Sequence, residues 1–246
     1  MEKQQLQGES ALVVGGGSGI GQAIAWALAR AGCRTAVAGR RADALDATCQ
    51  EYDGPGTVLA HVVDVTDRES VGRLVAWFQK TIGVIDIFVN AAGINIPNRT
   101  MAEMRPEQWD EVLAINATGA YNCLAAVLPS MREQQSGTII QISSIAGKRA
   151  LALGGVAYCA SKFAMTALGA AVGQEESAHG IRITNIYPGE VETPLLDRRP
   201  TPITPEHRAR ILQPQDVADL VVTICSLPPQ AHVPEVVIKP LGQLYL

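Results

Sequence analysis

Short apolar runs rich in β-branched residues alternate along the chain with longer stretches in which apolar residues recur at helical spacing. The short runs predict seven strands, at residues 11–14, 35–38, 57–63, 84–89, 137–142, 181–187 and 233–239. Helices are predicted after the first strand, at about 42–52, after residue 66, at 107–131, from 157 to at least 172, and at 216–227. Because this alternation has no pause that would mark a linker, we predict one α/β domain over residues 1–246. It is built on a doubly wound parallel sheet with helices on both faces.

The turn after the first predicted strand consists almost wholly of glycine, with the sequence GGGSGIG over residues 15–21. Glycine lets the backbone turn sharply and approach a ligand without a Cβ atom. The helix that follows directs unpaired N–H groups and its positive dipole end at the turn. A pyrophosphate fits such a site, although a glycine turn without a ligand has the same composition. The order strand, turn, helix favours a Rossmann-like dinucleotide site formed by Gly15, Gly17, Ser18, Gly19, Ile20 and Gly21.

The end of the second predicted strand indicates which dinucleotide is bound. In such folds an acid about 20 residues beyond the glycines accepts hydrogen bonds from the ribose 2′-hydroxyl of NAD, whereas a nearby arginine accommodates the 2′-phosphate of NADP. Gly39 stands where the acid would be, and Arg40 and Arg41 follow. A guanidinium grips a phosphate with two parallel hydrogen bonds, so NADP is favoured over NAD. The alternative is that both arginines only cover a solvated helix start.

The end of the third predicted strand carries a further candidate contact. Asp64 and Val65 follow this strand, at the edge of a parallel sheet where ligands bind, and the Asp64 carboxylate could accept from an adenine amino group. Thr66 and Glu69 have the spacing of a capping box for the next helix. Asp64 could therefore serve only the turn.

The fourth predicted strand runs into the sequence NAAG at residues 90–93. Small residues at Ala91 and Gly93 leave room beside a ribose, and Asn90 can tie neighbouring loops together. A simple strand-ending turn has the same composition.

Polar residues at three places in the second half of the chain are candidates for chemistry. Asn116 interrupts an otherwise apolar stripe of the helix at 107–131; a buried asparagine needs partners, so it either satisfies a bent helix or holds a water for proton transfer. The fifth strand ends at Ser143 and Ser144. On the following helix Tyr158 and Lys162 are one turn apart and face the same way, so their side chains can act together.

A proline-punctuated stretch at residues 194–214 interrupts the alternation near the carboxyl end of the sixth strand. A long connection at this edge predicts a lid over a substrate. Its basic residues either form a solvated surface or meet an anionic substrate; they are Arg198, Arg199, His207, Arg208 and Arg210.

Composition excludes several classes of partner. The chain has 20 Lys and Arg against 24 Asp and Glu, a formal charge of -4, and no basic block, which argues against nucleic acid. The start is polar and no apolar run approaches the roughly 18 residues that span a bilayer, so no membrane association and a cytoplasmic location are expected. The five cysteines are widely spaced, which suits reduced packing residues better than disulfides or a metal site, and no metal is expected.

Taken in order, these motifs resemble the short-chain dehydrogenase/reductase family. Gly15, Gly19 and Gly21 match its TGxxxGxG pattern, with Val14 in place of the threonine, and NAAG matches its NNAG with one change. Asn116, Ser144, Tyr158 and Lys162 match its catalytic tetrad. The sixth strand is followed by a match to PGxxxT, which implies cofactor contacts at Pro188, Gly189, Val191 and Thr193.

The resemblance implies an NADP-dependent enzyme that interconverts a carbonyl compound and a secondary alcohol or hydroxy acid. Tyr158 would exchange the proton, Ser144 would hold the substrate oxygen, and Lys162 would bind the nicotinamide ribose and lower the pKa of the phenol. An ammonium about 4 Å away could supply the roughly 4 kcal/mol needed to bring a phenol toward neutrality. Asn116 would keep a water behind Lys162. A homodimer or homotetramer through the helices at 107–131 and 158–178 is also expected.

Two departures affect the substrate side. The interval between Ser144 and Tyr158 is one residue longer than the commonest spacing. The last strand is followed by Lys239 to Gly242 and an apolar tail at 244–246, where the family often has Asp-Gly-Gly. A regulator that has lost turnover, and a reductase of carbon–carbon double bonds, are the alternatives. Intact Ser144, Tyr158 and Lys162 favour carbonyl or alcohol chemistry over both.

Overall fold

The computed structural model describes residues 6–244, and within them seven strands form one parallel sheet in the order β3-β2-β1-β4-β5-β6-β7. The strands are β1 (Ser10–Val14), β2 (Arg34–Gly39), β3 (Val58–Val62), β4 (Ile87–Asn90), β5 (Gly137–Ile142), β6 (Ile181–Pro188) and β7 (Glu235–Ile238). The predicted strands are therefore present. The fourth and seventh are shorter than their apolar runs, because those runs include residues of the adjoining loops.

Helices cover both faces of this sheet. They are α1 (Gly19–Arg30), α2 (Ala42–Gln50), α3 (Arg68–Thr81), α4 (Pro106–Leu113), α5 (Gly119–Gln134), α6 (Val156–Glu176), α7 (Pro205–Arg208) and α8 (Pro214–Cys225). Neighbouring residues of β1 point to opposite faces: Val13 packs in the cluster with Leu28 of α1 and Val221 of α8, whereas Leu12 packs in the cluster with Leu124 of α5. The predicted α/β class with a doubly wound, two-sided parallel sheet is confirmed.

The strand order fixes where a ligand can bind. β1 pairs with β2 on one side and with β4 on the other, so the connections leave β1 and β4 in opposite directions. Such a switch point opens a crevice at the carboxyl ends of the two strands. The glycine turn and the NAAG segment both begin at this edge.

The capping box predicted from Thr66 and Glu69 is wrong. The residue that caps α3 is Asp67, whose carboxylate accepts from the backbone N–H of Glu69 at 2.9 Å. Thr66 is not available, because its hydroxyl and its backbone N–H both donate to the Asp64 carboxylate, at 2.8 and 2.9 Å. Thr66 and Asp67 are both residue types that cap helices well. Because Thr66 is bound to Asp64, the cap is Asp67.

The long helix predicted at 107–131 is not regular. Residues Ala114–Thr118 form a π-helical turn between α4 and α5, with Asn116 at its centre. The predicted lid at 194–214 also has structure of its own, a 3₁₀ turn at Pro194–Arg198 followed by α7. Of the apolar tail at 244–246, residues 245 and 246 lie outside the described part of the chain.

Two helical stretches have the length and composition of a membrane span, Pro106–Gln134 and Val156–His179, which corrects the expectation that no stretch approaches that length. They qualify because alanine, valine, leucine and other apolar residues keep the average hydropathy high between the few polar residues. Both lie along the sheet, and 56% and 33% of their most apolar windows are buried. Core helices of this kind pass the same test, so the membrane signal is weak.

Candidate active site

The glycine turn packs so closely that side chains are excluded. Gly15 has a φ of +85°, and a Cβ atom placed on it would lie 2.5 Å from the backbone of Ala91. A Cβ atom on Gly21 would overlap the carbonyl oxygen of Gly15. α1 begins at Gly19, and its cap residue Ser18 makes no side-chain hydrogen bond to the N–H groups of the first turn. These N–H groups therefore remain available to an anion.

A cavity of about 400 Å³ opens beside this turn, at the switch point of the sheet. Its size is that of a ligand or cofactor cleft. Fourteen of the predicted cofactor residues line it: Gly15, Gly17, Ser18, Gly19, Ile20, Gly21, Arg40, Arg41, Val65, Ala91, Gly93, Tyr158, Lys162 and Thr193. The cavity thus connects the glycine turn to the pair on α6.

Five predicted cofactor residues do not line this cavity. The Asp64 carboxylate is engaged by Thr66, and these hydrogen bonds lower its pKa. Asn90 is buried and donates to Gln141 of β5 at 2.9 Å, so it ties two strands together. Pro188, Gly189 and Val191 line a second, smaller cavity instead.

Arg40 and Arg41 lie at the rim of the large cavity, directly after β2. Arg41 donates to the hydroxyl of Ser18 at 3.4 Å, and Gly39 lines the same wall. Within residues 6–244 neither arginine forms an ion pair. Both guanidinium groups are therefore free to meet an anion at this rim.

Tyr158 lies where the two cavities meet and lines both. Burial raises the pKa of its phenol, while a hydrogen bond with the Ser144 side chain and the charge of Arg99 act in the opposite direction. Ser144 lines the smaller cavity and accepts from the backbone N–H of Ala146 at 3.1 Å, which fixes its side chain at the end of β5. With its pKa raised, the phenol holds its proton at neutral pH.

Lys162 is almost fully buried one helical turn beyond Tyr158. Its ammonium donates to the main-chain carbonyl of Ile142 at 2.8 Å and lies 5.8 Å from the centre of the Tyr158 ring. Burial lowers the pKa of Lys162 to about 8. The sequence predicts that this ammonium lowers the pKa of the phenol, but here the groups that act on Tyr158 in that direction are Ser144 and Arg99.

Asn116 forms the wall behind Lys162. Its side-chain oxygen accepts from the N–H of Ile94 at 2.8 Å, and its amide donates to the Ile94 carbonyl at 2.9 Å and to the Ser161 hydroxyl at 3.0 Å. A Cβ atom on Gly93 would lie 3.4 Å from the Lys162 ammonium and 3.5 Å from the Asn116 oxygen. The π-helical turn therefore brings Asn116 close to Lys162, beside the backbone of Gly93.

The smaller cavity, of about 140 Å³, is lined in part by residues that no sequence motif singles out. Among them are Asn95, Arg99, Glu190 and Gln243. They come from loops far apart in the chain and belong to no recognised motif. Arg199 also lines this cavity, whereas Arg198 lines the larger one. Arg208 pairs with Glu192 and Asp197 on the lid itself.

The sequence profile of the short chain dehydrogenase family matches residues 9–202, most of the chain. The chain belongs to this family. An uncharacterised oxidoreductase of Staphylococcus aureus is 32% identical over 236 residues, which cover 96% of this chain and 99% of the relative. The glycine betaine reductase ATRR of Emericella nidulans is 35% identical over 244 residues; they cover 97% of this chain, but the chain spans only 19% of that relative.

Solved structures agree with this assignment. The alcohol dehydrogenase of the archaeon Thermococcus sibiricus, complexed with 5-hydroxy-NADP, has a TM-score of 0.85 at 28% identity and covers 96% of this chain and 98% of its own. The resemblance to short-chain dehydrogenases/reductases is thus confirmed. This protein is a NAD(P)-dependent oxidoreductase of the short chain dehydrogenase family.

Proposed function

We propose that this protein is an NADP-dependent oxidoreductase that interconverts a carbonyl compound with the corresponding secondary alcohol or hydroxy acid. The proposal treats residues 1–246 as one domain, with residues 194–214 as a lid over the substrate. The observation that carries it is the position of Tyr158, which lines both cavities and has Ser144 within hydrogen-bonding reach and Lys162 one turn away. One phenol can therefore serve a substrate in the smaller cavity and a dinucleotide in the larger.

The larger cavity fits a dinucleotide because four glycines of the turn line it and leave room for a phosphate beside the backbone: Gly15, Gly17, Gly19 and Gly21. The glycine turn would hold the pyrophosphate on the N–H groups of α1, and Val65, Ala91 and Gly93 would form the wall beside the adenosine and the riboses. Lys162 would donate to the nicotinamide ribose, with Thr193 on the lid side. The bound nicotinamide supplies or accepts the hydride, while the proton has to come from the protein.

Tyr158 would supply that proton to the carbonyl oxygen during reduction. A phenol whose pKa is raised by burial is protonated at neutral pH, which is the state that an acid requires. Ser144 would donate to the same oxygen and hold it near the phenol. Lys162 would replace the proton on Tyr158, and the second lone pair of the Asn116 side-chain oxygen would hold a water behind Lys162.

NADP is proposed rather than NAD on the basis of the cavity rim. Arg40 and Arg41 form no ion pair among the described residues, although the charge of Arg40 acts on the Asp64 carboxylate, and Gly39 offers no carboxylate to a ribose 2′-hydroxyl. A 2′-phosphate would pair with these guanidinium groups, whereas a bare hydroxyl would leave them without a ligand. Asp64, already engaged by Thr66, would contribute little to adenine recognition.

A homodimer or homotetramer through α5 and α6 is also part of the proposal. Apolar residues at helical spacing are exposed on both helices, Tyr121, Ala125 and Pro129 on α5 and Phe163, Ala167 and Ala170 on α6. The three alanines among them let helices approach closely, and a second copy would remove all six side chains from water. A cytoplasmic location is proposed because all five cysteines are unpaired.

The decisive experiment follows NADPH absorbance with a panel of aldehydes, ketones and oxo acids. We expect turnover of some members and, for Tyr158→Phe, a loss of about 10³-fold or more in kcat with NADPH affinity retained. The matched control is Tyr52→Phe, which removes a hydroxyl that donates to the Pro55 carbonyl away from both cavities, and it should behave as wild type. Equal activity in Tyr158→Phe and wild type would overturn the role of Tyr158. If the wild type oxidises NADPH with no member of the panel, the proposed function is overturned.

A further inference from the structure

The smaller cavity holds an arginine that has no carboxylate partner. Arg99 is 7% exposed, and its side chain donates to three main-chain carbonyls, those of Ile96 at 2.8 Å, Leu153 at 2.7 Å and Arg198 at 3.1 Å. Over the described range 6–244, no ion pair includes Arg99. Carbonyl oxygens satisfy donors but do not neutralise a charge. A buried cation without a counter-ion is costly unless a ligand supplies the anion.

The neighbouring charges do not cancel that of Arg99. Among the residues that the structure describes, the charged ones lining this cavity are Arg99, Arg199 and Glu190, two positive against one negative. Glu190 is already shared, because it pairs with Arg199 at 3.2 Å and with His207 of α7 at 2.5 Å. The cavity therefore has one positive charge in excess, and that charge is on Arg99.

The excess charge lies beside the reacting groups. Arg99, Ser144 and Tyr158 line the same cavity, and the charge of Arg99 acts on the phenol of Tyr158. Burial and then the charge of Arg199 lower the pKa of Arg99, while Tyr158 raises it. A guanidinium stays protonated in proteins despite such shifts, so the charge persists at any working pH.

We infer that the substrate carries a carboxylate as well as the reacting carbonyl, and that Arg99 binds this carboxylate. The inference rests on the proposed function and names its substrate class, small oxo acids and the corresponding hydroxy acids. The guanidinium has five N–H donors and gives three to carbonyls, so two remain for the carboxylate. Gln243 lines the same cavity and adds a neutral polar group.

The chemistry leaves the carboxylate unchanged. In the reduction of an oxo acid the carbonyl carbon gains a hydride, the π pair of the C=O bond moves to oxygen, and this oxygen takes the proton of Tyr158. The substrate is reduced by two electrons and the dinucleotide is oxidised by two. Arg99 is a specificity-determining residue in this scheme, since it contacts the substrate away from the bond that changes.

The size of the cavity restricts the acid. Its volume of about 140 Å³ is close to the roughly 150 Å³ of an engineered cavity that binds benzene. A substrate of roughly six to eight non-hydrogen atoms fits such a space. Short oxo acids fit inside the cavity entirely, whereas a longer chain would extend out of its open side.

The competing explanation is that Arg99 only holds three loops together. An acid and its amide distinguish the two roles, because the amide has the same shape without the charge. We would therefore compare pyruvate, acetoacetate and levulinate with pyruvamide, acetoacetamide and levulinamide in wild type, Arg99→Lys, Arg99→Gln and the surface control Arg105→Gln. Circular dichroism checks that each variant is folded.

We expect the wild type to favour at least one acid over its amide by about 100-fold or more in kcat/KM. Arg99→Gln should lose about 100-fold on the acid and change little on the amide. Arg99→Lys should keep part of the preference, and Arg105→Gln all of it. Equal use of acid and amide by the wild type, which needs no variant, would overturn the inference, as would an equal loss on both in Arg99→Gln.

A binding measurement separates this inference from the proposed function. The same acids should raise the melting temperature of the NADP-saturated wild type and leave that of Arg99→Gln unchanged. Binding of this kind without turnover of any carbonyl compound would sustain the carboxylate site and defeat the proposed reaction. Turnover of neutral ketones, together with no change in melting temperature on adding the acids, would sustain the proposed reaction and overturn the carboxylate site.

Discussion

Lys162 donates a hydrogen bond to the main-chain carbonyl of Ile142, the last residue of β5, at 2.8 Å. This contact ties α6 to the sheet at the edge where the cavities open. It also holds an ammonium group where water barely reaches it, and burial lowers its pKa to about 8 from 10.5. The charge that the proposed function requires of Lys162 therefore lowers the stability of the folded protein.

Lys162→Met should stabilise the apoprotein at pH 7 while abolishing turnover. The folded-state pKa lies below the unfolded value, so the native state binds fewer protons between pH 8 and 10.5. The cost of the buried charge is about 3 kcal/mol below pH 8 and disappears as pH rises toward 10.5. After the lost hydrogen bond is subtracted, we expect a gain of about 1–2 kcal/mol at pH 7.

Denaturant unfolding of wild type and variant across pH 7 to 10.5 measures this difference. The advantage of Lys162→Met should shrink as pH rises. Lys80→Met, which changes an exposed lysine at the end of α3, should show no such trend. A difference that is constant with pH would contradict the buried charge as the cause.

Arg40→Asp should reverse the choice of dinucleotide. A carboxylate at this position repels a 2′-phosphate and accepts from a 2′-hydroxyl, so we expect kcat/KM to fall about 100-fold or more with NADPH and to rise with NADH. The two cofactors are compared at a fixed substrate concentration. Arg41→Asp tests the second arginine, and Arg105→Asp controls for the change in net charge. An unchanged ratio in both rim variants would remove these residues from phosphate recognition.

Arg132→Ala should destabilise the packing of α5 on α6. Glu176 has a side chain only 2% exposed and accepts from the Nε of Arg132 at 2.9 Å. That hydrogen bond lowers the pKa of Glu176 in the folded state. The pair therefore stabilises the folded protein at pH values above the ordinary pKa of glutamate. This stabilisation is lost as the pH falls through the lower pKa of the folded state. Removing Arg132 leaves the Glu176 carboxylate without its partner and should lower the free energy of unfolding at pH 7.

Unfolding at two pH values tests this explanation of the pair. At pH 4 the Glu176 carboxyl of Arg132→Ala takes up a proton. The difference in the free energy of unfolding between this variant and the wild type should therefore be smaller than at pH 7. Adding Glu176→Gln to Arg132→Ala should recover part of the loss at pH 7. A deficit that is the same at both pH values would point to lost packing of the arginine stem.

Phe163→Glu should dissociate the proposed oligomer. The ring of Phe163 is 41% exposed on α6, beside the small apolar residues of the same face, and a charge there would be buried by a second copy. Light scattering after size exclusion gives the mass of each species. Val84→Glu is the matched control, because Val84 is 49% exposed outside both helices. A wild-type monomer, or an oligomer that survives Phe163→Glu, would contradict this interface.

The parts of the site that the sequence predicts are those with local signals. Glycines between a strand and a helix, and Tyr158 and Lys162 one turn apart, each belong to one short segment whose conformation follows from its own residues. The spacing of Thr66 and Glu69 predicts Thr66 as the cap of α3, whereas the cap is Asp67. Both residues are suitable, and the choice depends on Asp64, which binds Thr66. Competition between neighbouring hydrogen bonds is not visible in a spacing rule.

The residues that line the smaller cavity could not be predicted in the same way. Arg99 binds carbonyls at residues 96, 153 and 198, so its position depends on three loops that meet only in the folded chain. Likewise, the basic residues of the lid look alike in sequence. Only their partners show that Arg208 serves the lid itself and that Arg199 faces the cavity.

The π-helical turn at Ala114–Thr118 accommodates one residue more than a regular α-helical turn would. Deleting a single residue there would restore an unbroken helix and leave α4 and α5 packed on their present neighbours. Such a shortened chain should fold, yet the amide of Asn116 would no longer reach Ile94 or Ser161. We therefore expect the surplus residue to matter for the wall behind Lys162 and not for the packing of α4 and α5.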